Sequence, residues 1–586
     1  GILSDGGKAT NKKKIEMSGG KSAGMMGIND AEIINDVSPA EITMNKTGSA
    51  GIYTQNSNAA NKGTINLKEN ESAGIYAQNT SVKNYELNNS GIINAEKDKS
   101  IGMYANVFKD TSVASPVTPG ITTMNNSGTI NLKDEKSAGI YAIDNSYVTN
   151  NANITTQDEK SAGIYISDSD VVNNADKTIT VEKSESAGIY GKFKNNKDHT
   201  ITNNGTITLA TSSSEKESAG IYGELESSAT KKLDIANLAG STIKVGMKES
   251  VGIYAKNSSS NGKGNLTVDN SGTIVTSKGE SVGIFGEKAT ITNNKTIEVN
   301  GQESIGIFGE SGSEIKNVST DKGIEVTGES STGMYATDSG TTGENTGKIV
   351  LSGKKSTGMG AANSAVITNE NEISGTVENV IGMYGKGSGT QVTNKGNITL
   401  SEKNSTGIFT KDDAVAENEN SANIELAKEN SVGMFGLAST AGKKIDLTNK
   451  GIITLKGKGS TGIFASNVED TVTKGTYTGA LADSSIKNIG TITLDAEKTV
   501  GIYTPKSTIS QVGNITMTTK ADSSVGVYLT QGATANGTGA VIDLNKNSQN
   551  QVAYYIKGNG TISSSIGEVK GYGVGVYLDG TDSDGK

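Results

Sequence analysis

The sequence has no cysteine, no tryptophan, no arginine, only one histidine and only four prolines in 586 residues. Without cysteine, iron–sulfur clusters and thiolate zinc sites are excluded, and a single histidine, His199, cannot build a histidine metal cluster. Without arginine there is no guanidinium fork to hold a phosphate or carboxylate at two points. We therefore expect no cofactor, no bound metal and no catalytic residue.

The charge of the chain is moderate and mixed. There are 63 acidic and 54 basic residues, the latter all lysine, for a net charge of −9. The lysines form no basic stripe, so nucleic acid is not an expected partner. No run of 18 apolar residues and no signal peptide is present. Because the chain begins at Gly1, we interpret it as an internal piece of a longer protein, whose export signals would lie elsewhere.

The strongest feature is an internal repeat, Ser-x-Gly-Ile-Tyr, which recurs along the whole chain. Clear copies are Ser72–Tyr76, Ser161–Tyr165 and Ser281–Phe285, and the glycine position recurs 21 times, with Ala553 as its one substitution. Of the 20 intervals, 14 lie between 23 and 29 residues. A second motif, Gly-Thr-Ile-x-Leu, precedes most copies, as at Gly205–Leu209, and a third short segment that ends in Asn lies between the two.

Each cycle thus holds three short segments with period-2 alternation, separated by Gly, Asn or charged turns, as strands require. Three short strands in about 25 residues predict an all-β fold, a right-handed parallel β-helix (solenoid) of about 21 coils, as one continuous domain over residues 1–586. At about 4.8 Å per coil this gives a rod of roughly 100 Å. A β-propeller is the alternative, but its blades need more residues and seldom exceed eight.

Positions within the repeat predict which side chains face the core. By alternation, the second, fourth and sixth positions of Ser-x-Gly-Ile-Tyr-x should line it, so we expect Ile75 and Ile164 to point inward. In Gly-Thr-Ile-x-Leu the Ile and Leu share one face, so we also expect Ile207 and Ile398 to point inward. The fifth position is aromatic in 19 of 21 cycles, and alternation places these rings outside. They are either a stripe that stacks on sugars or a self-stacked row, or they turn inward where the glycine bends the strand. Free exchange of Tyr and Phe favours packing.

Parallel β-helices include enzymes that cut polysaccharides, so a catalytic alternative has to be weighed. Such enzymes use arginine or lysine bases, aspartate clusters and often histidine. Here His199 lies in a polar turn and is expected to be exposed. The acidic groups Asp412–Asp413 and Asp168–Asp170 lie at turns, where a solvated corner is a simpler interpretation than a general acid and base. We therefore do not expect an enzyme.

The segments Glu71–Ala77 and Asn203–Leu209 resemble the passenger repeats of large fusobacterial autotransporter adhesins. The resemblance covers essentially the whole chain and includes the bias toward lysine, asparagine and isoleucine. It implies type V secretion, exposure at the cell surface or outer membrane, and a C-terminal membrane barrel that would lie beyond Lys586. It also implies adhesion to host cells or partner bacteria through a glycan or protein receptor, but it transfers no binding residue.

The leading hypothesis is therefore an extracellular adhesin passenger that attaches to such a receptor. The alternatives are a passive spacer that displays a binding head outside this chain and, less favoured, a polysaccharide-active β-helix enzyme. A titration against cells separates the first two, and turnover on a panel of glycans detects the third.

If this chain carries a binding site, the two longest intervals are where we expect it. Regular coils are tied by ladder hydrogen bonds, so extra residues must bulge from turns, near 105–123 and 466–486. The first holds Phe108, Pro116 and Pro119, and the second holds the off-repeat aromatic Tyr477. Exposed rings beside polar residues can stack on a sugar or anchor a protein. Tolerated insertions without a function are the alternative, since lengthening a surface loop costs little.

Overall fold

The computed structural model describes residues 1–108, 118–211, 214–260, 262–439, 442–467, 484–546 and 550–580. The regular structure of these residues is all β-strand, apart from one 3-10 turn at Lys263–Asn265. The chain divides into two compact units, Gly1–Asn300 and Gly301–Lys586. One continuous domain over 1–586 stays a prediction.

Each unit is a parallel β-solenoid whose coils contain three strands. Within a unit, strands pair in parallel with the equivalent strand one repeat later, for example Ala187 with Ala219 and Tyr190 with Tyr222. The three strands of a coil therefore belong to three separate sheets, which we name sheets 1, 2 and 3 in each unit. This confirms the prediction of an all-β parallel β-solenoid of about 21 turns.

Sheet 1 is formed by the Ser-x-Gly-Ile-Tyr motif and has the longest strands. In the first unit its strands are Ile2–Asp5, Ala23–Ile28, Ala50–Gln55, Ala73–Asn79, Ile101–Val107, Ala138–Ile143, Ala162–Ser167, Ala187–Phe193, Ala219–Leu225, Val251–Asn257 and Val282–Glu287. In the second they are Ile305–Glu310, Thr332–Thr337, Thr357–Ala362, Ile381–Lys386, Thr406–Lys411, Val432–Ala438, Thr461–Asn467, Val500–Pro505, Val525–Thr530, Val552–Lys557 and Val574–Asp579.

Sheet 2 is formed by the segments that end in Asn. In the first unit its strands are Lys8–Asn11, Glu32–Asn35, Asn58–Asn61, Tyr85–Asn89, Thr122–Asn126, Ser146–Asn150, Asp170–Asn173, His199–Asn203, Leu233–Asn237, Leu266–Asn270 and Thr290–Asn293. In the second they are Glu314–Asn317, Thr342–Asn345, Val366–Asn369, Gln391–Asn394, Val415–Asn418, Asp446–Asn449, Ser485–Asn488, Thr508–Gln511, Thr534–Ala535 and Thr561–Ile562.

Sheet 3 is formed by the Gly-Thr-Ile-x-Leu motif. In the first unit its strands are Lys14–Met17, Glu41–Met44, Thr64–Leu67, Ile92–Ala95, Thr129–Leu132, Ile154–Thr156, Thr178–Val181, Thr206–Leu209, Thr242–Val245, Thr273–Thr276 and Ile297–Val299. In the second they are Ile324–Val326, Lys348–Leu351, Glu372–Gly375, Asn397–Leu400, Asn423–Leu426, Ile452–Leu455, Thr491–Leu494, Asn514–Met517, Val541–Leu544 and Glu568–Gly571.

The core of each unit is a stack of aliphatic side chains that repeats in every coil. Ile75, Ile164, Ile207 and Ile398 are fully buried, as predicted from the alternation. Burial of apolar area contributes about 25 cal/mol per Å², and each coil adds the same kind of contribution. The core is therefore thin in cross-section and continuous along the coils of a unit.

The motif glycine breaks the alternation of sheet 1. Ala162 pairs with Ala187 and Ile164 with Ile189, while the glycines between them are left out of the register. A Cβ on Gly188 would meet the buried Ile207 Cγ2 at 2.6 Å and the Gly220 carbonyl oxygen at 2.7 Å. The glycine and the following isoleucine thus both face inward, and the chain has no room for a side chain at the glycine.

We expect Gly188→Ala to lower the free energy of unfolding by about 1–3 kcal/mol, because a methyl group would be forced against core and backbone atoms. Gly575→Ala is the matched control, because a Cβ there meets no atom within 4 Å. Chemical denaturation of both variants measures the difference. Equal stability of the two variants would show that the close approach at Gly188 does not require glycine.

A row of asparagine amides runs through the interior of each unit. The last residue of most sheet 2 strands is a buried Asn whose Nδ2 donates to Oδ1 of the equivalent Asn in the next coil. Asn173 donates to Asn203 at 2.9 Å and Asn203 to Asn237 at 2.8 Å, and all three are fully buried. Each amide therefore satisfies its neighbour, which allows a polar group to repeat inside an apolar core.

Candidate functional site

The rings of the fifth motif position lie on the outer face of sheet 1, where they stack on one another. From Tyr53 to Phe285 in the first unit, successive ring centroids are 4.2–5.6 Å apart with interplanar angles of 4–24°. The rings are half-buried. The outward position that the alternation predicted for these rings is confirmed. Of the three interpretations of the rings, the self-stacked row is the one observed. Because each ring face covers the next, only ring edges and hydroxyl groups are open to a ligand within the row.

The second unit carries a similar row that lacks a ring at Gly360 and in which two contacts are not stacked: Tyr384–Phe409 is tilted by 53° and Tyr528–Tyr555 is edge-to-face at 82°. Phe308 stacks on Tyr335 at 5.6 Å, and the row continues beyond Gly360 with Tyr384 and Phe409 at 5.5 Å. At Gly360 there is no ring, and the Tyr335 ring leans into the space, since a Cβ on Gly360 would lie 2.7 Å from Tyr335 Cδ2. Gly360 therefore supplies room for a neighbouring ring.

The second motif position also lies on the outer face, which corrects the prediction that it lines the core. Ala162 and Ala187 are buried and Ala219 and Val251 are half-buried, but all four line the same external groove as the rings. The physical reason is the inward-facing glycine, which reverses the alternation on its N-terminal side. The fourth and sixth positions face the core as expected.

A concave groove lies on the outer face of sheet 1 in the first unit. It has a volume of about 540 Å³ between residues 160 and 254. Its floor consists of small side chains from four successive coils, Ala162, Ala187, Ala219 and Val251. One wall is the ring row, Tyr165, Tyr190, Tyr222 and Tyr254. Each of the four coils therefore contributes one small side chain and one tyrosine ring to the groove.

The opposite wall of the groove is a row of charged turns. It is formed by Lys160, Glu185, Glu217 and Glu249, all in the left-handed region with φ of 51–57°. The motif serine closes each turn: Ser186 Oγ donates to the Ser184 carbonyl oxygen at 2.9 Å, and the Ser161 amide donates to Ser186 Oγ at 3.1 Å. The motif serine thus fixes the backbone of the turn that carries each charged side chain of this wall.

The charges of this wall largely compensate one another. Lys160 Nζ lies 3.8 Å from Glu185 Oε2, and Lys216 Nζ lies 2.8 Å from Glu217 Oε1 and 3.5 Å from Glu249 Oε2. Exposed pairs of this kind add little to stability. Their effect here is to leave the groove close to neutral, so that it does not select a strongly charged partner.

The hydroxyl groups of Tyr165 and Tyr222 beside the groove, and of Tyr104 further along the ring row, stay protonated at neutral pH. Burial, followed by the neighbouring Tyr76 and Tyr141, raises the pKa of Tyr104 to about 12. Burial likewise raises the pKa of Tyr165 and, together with Glu224, that of Tyr222. The Tyr222 hydroxyl donates to Glu224 Oε2 at 2.9 Å. These groups can therefore donate and accept hydrogen bonds but carry no charge.

A second groove of about 450 Å³ lies on the same face nearer the start of the chain. It runs past Met26, Tyr53 and Tyr76, and its floor is Ala23, Ala50 and Ala73. Met26 takes the place of a ring in this coil. The outer face of sheet 1 in the first unit therefore offers this type of surface near the start of the chain as well as between residues 160 and 254.

The predicted loop sites are described in part. Phe108 is 38% exposed and directly follows the strand Ile101–Val107. Pro119 is buried, and its carbonyl oxygen accepts a hydrogen bond from Asn145 Nδ2 at 3.0 Å. Pro116 and Tyr477, with most of the 466–486 interval, lie outside the described residues. A binding role for these four residues stays a prediction.

His199 is buried, which corrects the expectation of an exposed turn residue. It is 4% exposed at the start of a sheet 2 strand and packs against Phe193 with ring centroids 5.0 Å apart. Its Nε2 lies 2.9 Å from Asn195 Oδ1 and its Nδ1 3.4 Å from Asp170 Oδ1. The polar residues that precede His199 in the sequence predicted a turn, whereas its pairing with the buried Leu233 of the next coil places it at a core position.

Asp168 and Asp413, two of the acidic residues at turns, accept hydrogen bonds from backbone amides of the following coil. Asp168 Oδ1 accepts from the backbone amides of Lys194 and Asn195 at 2.8 and 2.9 Å. Asp168 is fully buried, so the expected solvated corner is wrong for this residue. Asp413 Oδ1 accepts from the Lys444 amide at 2.7 Å, and the Lys443 ammonium lowers the pKa of Asp413. These carboxylates therefore join the turn of one coil to the backbone of the next.

Neither a metal cluster nor a membrane-spanning helix occurs in the described ranges. In those ranges no group of three or more histidine and acidic side chains is placed to hold a metal ion. Within the same part of the chain, no helix has the length and apolar character needed to cross a membrane.

Three overlapping segments of the chain match one protein-family model. Residues 2–162, 120–372 and 307–421 match the family described as the BigA third pectate lyase-like domain. Together they span more than half of the 586 residues. No curated protein and no solved structure matches the chain.

Proposed function

Because the chain belongs to the family of the BigA third pectate lyase-like domain, we propose that it is a passenger region of a bacterial surface adhesin. In this proposal the chain is exported to the cell surface and attaches to a glycan or protein receptor on host cells or partner bacteria. Its likeness to fusobacterial autotransporter repeats rests on the motifs at 71–77 and 203–209. The pectate lyase-like name describes a fold, and we propose binding without catalysis.

The observation that carries the proposal is the groove between residues 160 and 254. It is open and nearly neutral, has a floor of small side chains, and repeats its chemistry in four successive coils. The acidic groups of its charged wall are paired with lysines. Such a surface suits contact with an extended partner that lies along the coils. The loops near 105–123 and 466–486 are the alternative binding site.

Filling the floor of the groove should reduce attachment. We expect Ala187→Ile/Ala219→Ile to weaken cell binding by about tenfold or more, which corresponds to about 1.4 kcal/mol. The fold should tolerate the change, because Ile101, Ile305 and Ile381 occupy the equivalent position in other coils. Binding of labelled chain to host cells and to partner bacteria, titrated against concentration, measures the effect.

Thr208→Val is the matched control, because it changes an outward residue of sheet 3 at a position where Val275 occurs two coils later. It should bind as the unchanged chain does. If the floor variant binds normally and shortening 107–120 and 469–485 abolishes binding, the loops are the site. If the unchanged chain binds no cell, a spacer role replaces adhesion. Turnover of uronic-acid or neutral glycans would establish an enzyme.

A further inference from the structure

The tyrosine row of the first unit is divided into close pairs. The centroid distances are 4.5 Å for Tyr76–Tyr104, 4.2 Å for Tyr141–Tyr165 and 4.6 Å for Tyr190–Tyr222. The intervening steps are longer, at 5.5 Å for Tyr104–Tyr141 and 5.2 Å for Tyr165–Tyr190. Within the pairs the rings are nearly parallel, with interplanar angles of 4–12°. Backbone pairing alone would space the rings evenly, so the pairing is a property of the side chains.

We propose that these three tyrosine pairs are sites of oxidative cross-linking, at which the two rings couple into dityrosine between successive coils. The reaction needs a one-electron oxidant, which we take to be a peroxide acting through a haem peroxidase. It goes beyond receptor binding and does not depend on it.

The chemistry balances between two phenols and one peroxide. Each phenol loses one electron and its hydroxyl proton, giving a phenoxyl radical. The two radicals form a carbon–carbon bond between positions ortho to oxygen, and the ortho hydrogens then move to the oxygens to restore both phenols. The pair has lost two electrons and two protons in total, and the peroxide takes up both to give two molecules of water.

The surroundings of Tyr190 and Tyr222 favour these steps. The Tyr222 hydroxyl donates to Glu224 Oε2 at 2.9 Å, so a carboxylate is in place to accept the proton as the electron leaves. Both rings line the open groove, where an oxidant can approach their edges and where the rings have space to slide into a bonded position. Holding two reacting groups together replaces a bimolecular encounter by a unimolecular step.

The chain supplies its own comparison positions. In the second unit Phe409, Phe435 and Phe464 occupy three successive rungs at 4.9 and 5.0 Å. These rings are also stacked, but they are evenly spaced and carry no hydroxyl group, so they should remain unlinked. Tyr147 is a tyrosine of the first unit outside the row, with 40% of its surface exposed. If Tyr147 couples less than the paired tyrosines, then pairing with another ring, and not exposure to the oxidant, decides which residues react.

The experiment treats the full chain at low concentration with a haem peroxidase and hydrogen peroxide. Dityrosine fluorescence reports coupling, intact mass reports the loss of two hydrogens per link, and peptide mapping identifies the joined residues. We expect links within one molecule that join 76 to 104, 141 to 165 and 190 to 222. Tyr165→Phe should remove only the second link, lowering first-unit dityrosine by about a third because one of three pairs is lost.

Tyr147→Phe is the control and should leave the first-unit yield unchanged. Links found only between molecules, links that involve chiefly Tyr147, or an unchanged yield in Tyr165→Phe would overturn the proposal. No dityrosine under conditions that couple free tyrosine would overturn it as well. Reaction of the chain in denaturant, where the pairs are lost, should give no preference for these partners.

Discussion

The Ile164→Asp chain should unfold locally or lose several kcal/mol of stability, while Tyr165→Phe remains folded. Ile164 is fully buried between Ile140 and Ile189 of the neighbouring coils. An unpaired carboxylate in this dry stack costs several kcal/mol, on the order of 2–7 for even a neutral polar group without a partner. Because the strands of both neighbouring coils pair with this strand, we expect the local unfolding to extend to them.

Tyr165→Phe removes only a hydroxyl group from a half-buried ring. Phe occurs at the same motif position at 285, 308, 409, 435 and 464, so we expect a change of stability below about 1 kcal/mol. Thermal unfolding followed by circular dichroism compares the two variants, and hydrogen exchange locates the affected coils. Identical melting of the two chains would contradict the assignment of Ile164 to the core and Tyr165 to the outer face.

The Asn126→Asp chain should be destabilised by about 3 kcal/mol or more at pH 7, because it buries a charge without a counter-ion. Asn126 accepts from Asn89 Nδ2 at 2.8 Å and donates to Asn150 Oδ1 at 3.0 Å, and it is fully buried. Aspartate has the same shape, so it creates no cavity. It keeps the first hydrogen bond and loses the second, leaving two oxygens face to face.

This effect should depend on pH in a defined direction. Burial disfavours the charged form and raises the pKa of an aspartate in the folded state. The penalty is therefore full above that raised pKa and disappears as the pH falls below the unfolded value of about 3.9. Below it the neutral acid can donate to Asn150. The measurement is the difference in unfolding free energy between variant and unchanged chain across this range.

Asn131→Asp is the matched control, five residues later in the same coil. Asn131 Nδ2 donates to Asn94 Oδ1 at 2.8 Å, but this pair lies on the outer side of sheet 3, where water can replace the lost bond. We expect a change within about 0.5 kcal/mol. A loss in Asn126→Asp as small as that in Asn131→Asp would show that the inner amide row contributes little.

The burial of the asparagine amide row could not be predicted from the repeat pattern. The sequence shows an Asn at the end of the third segment, and an Asn at a strand end is usually interpreted as a turn residue. Only stacked coils bring Asn150 Nδ2 to 2.8 Å from Asn173 Oδ1, and Asn173 Nδ2 to 2.9 Å from Asn203 Oδ1. Burial of the side chain then becomes possible because the neighbouring amide, rather than water, satisfies it.

Local pattern by itself determined the all-β class, the coil length, the three strands per coil and the inward direction of Ile75, Ile164, Ile207 and Ile398. These follow from period-2 alternation and from the recurrence of one motif, which are properties of neighbouring residues. Tertiary structure decided the rest. The outward turn of the second motif position depends on the close approach of Gly188 to Ile207, and the burial of His199 depends on its packing against Phe193 and its pairing with Leu233 of the next coil. The groove and the tyrosine pairs exist only between coils, where residues about one repeat apart come into contact, so no local pattern specifies them.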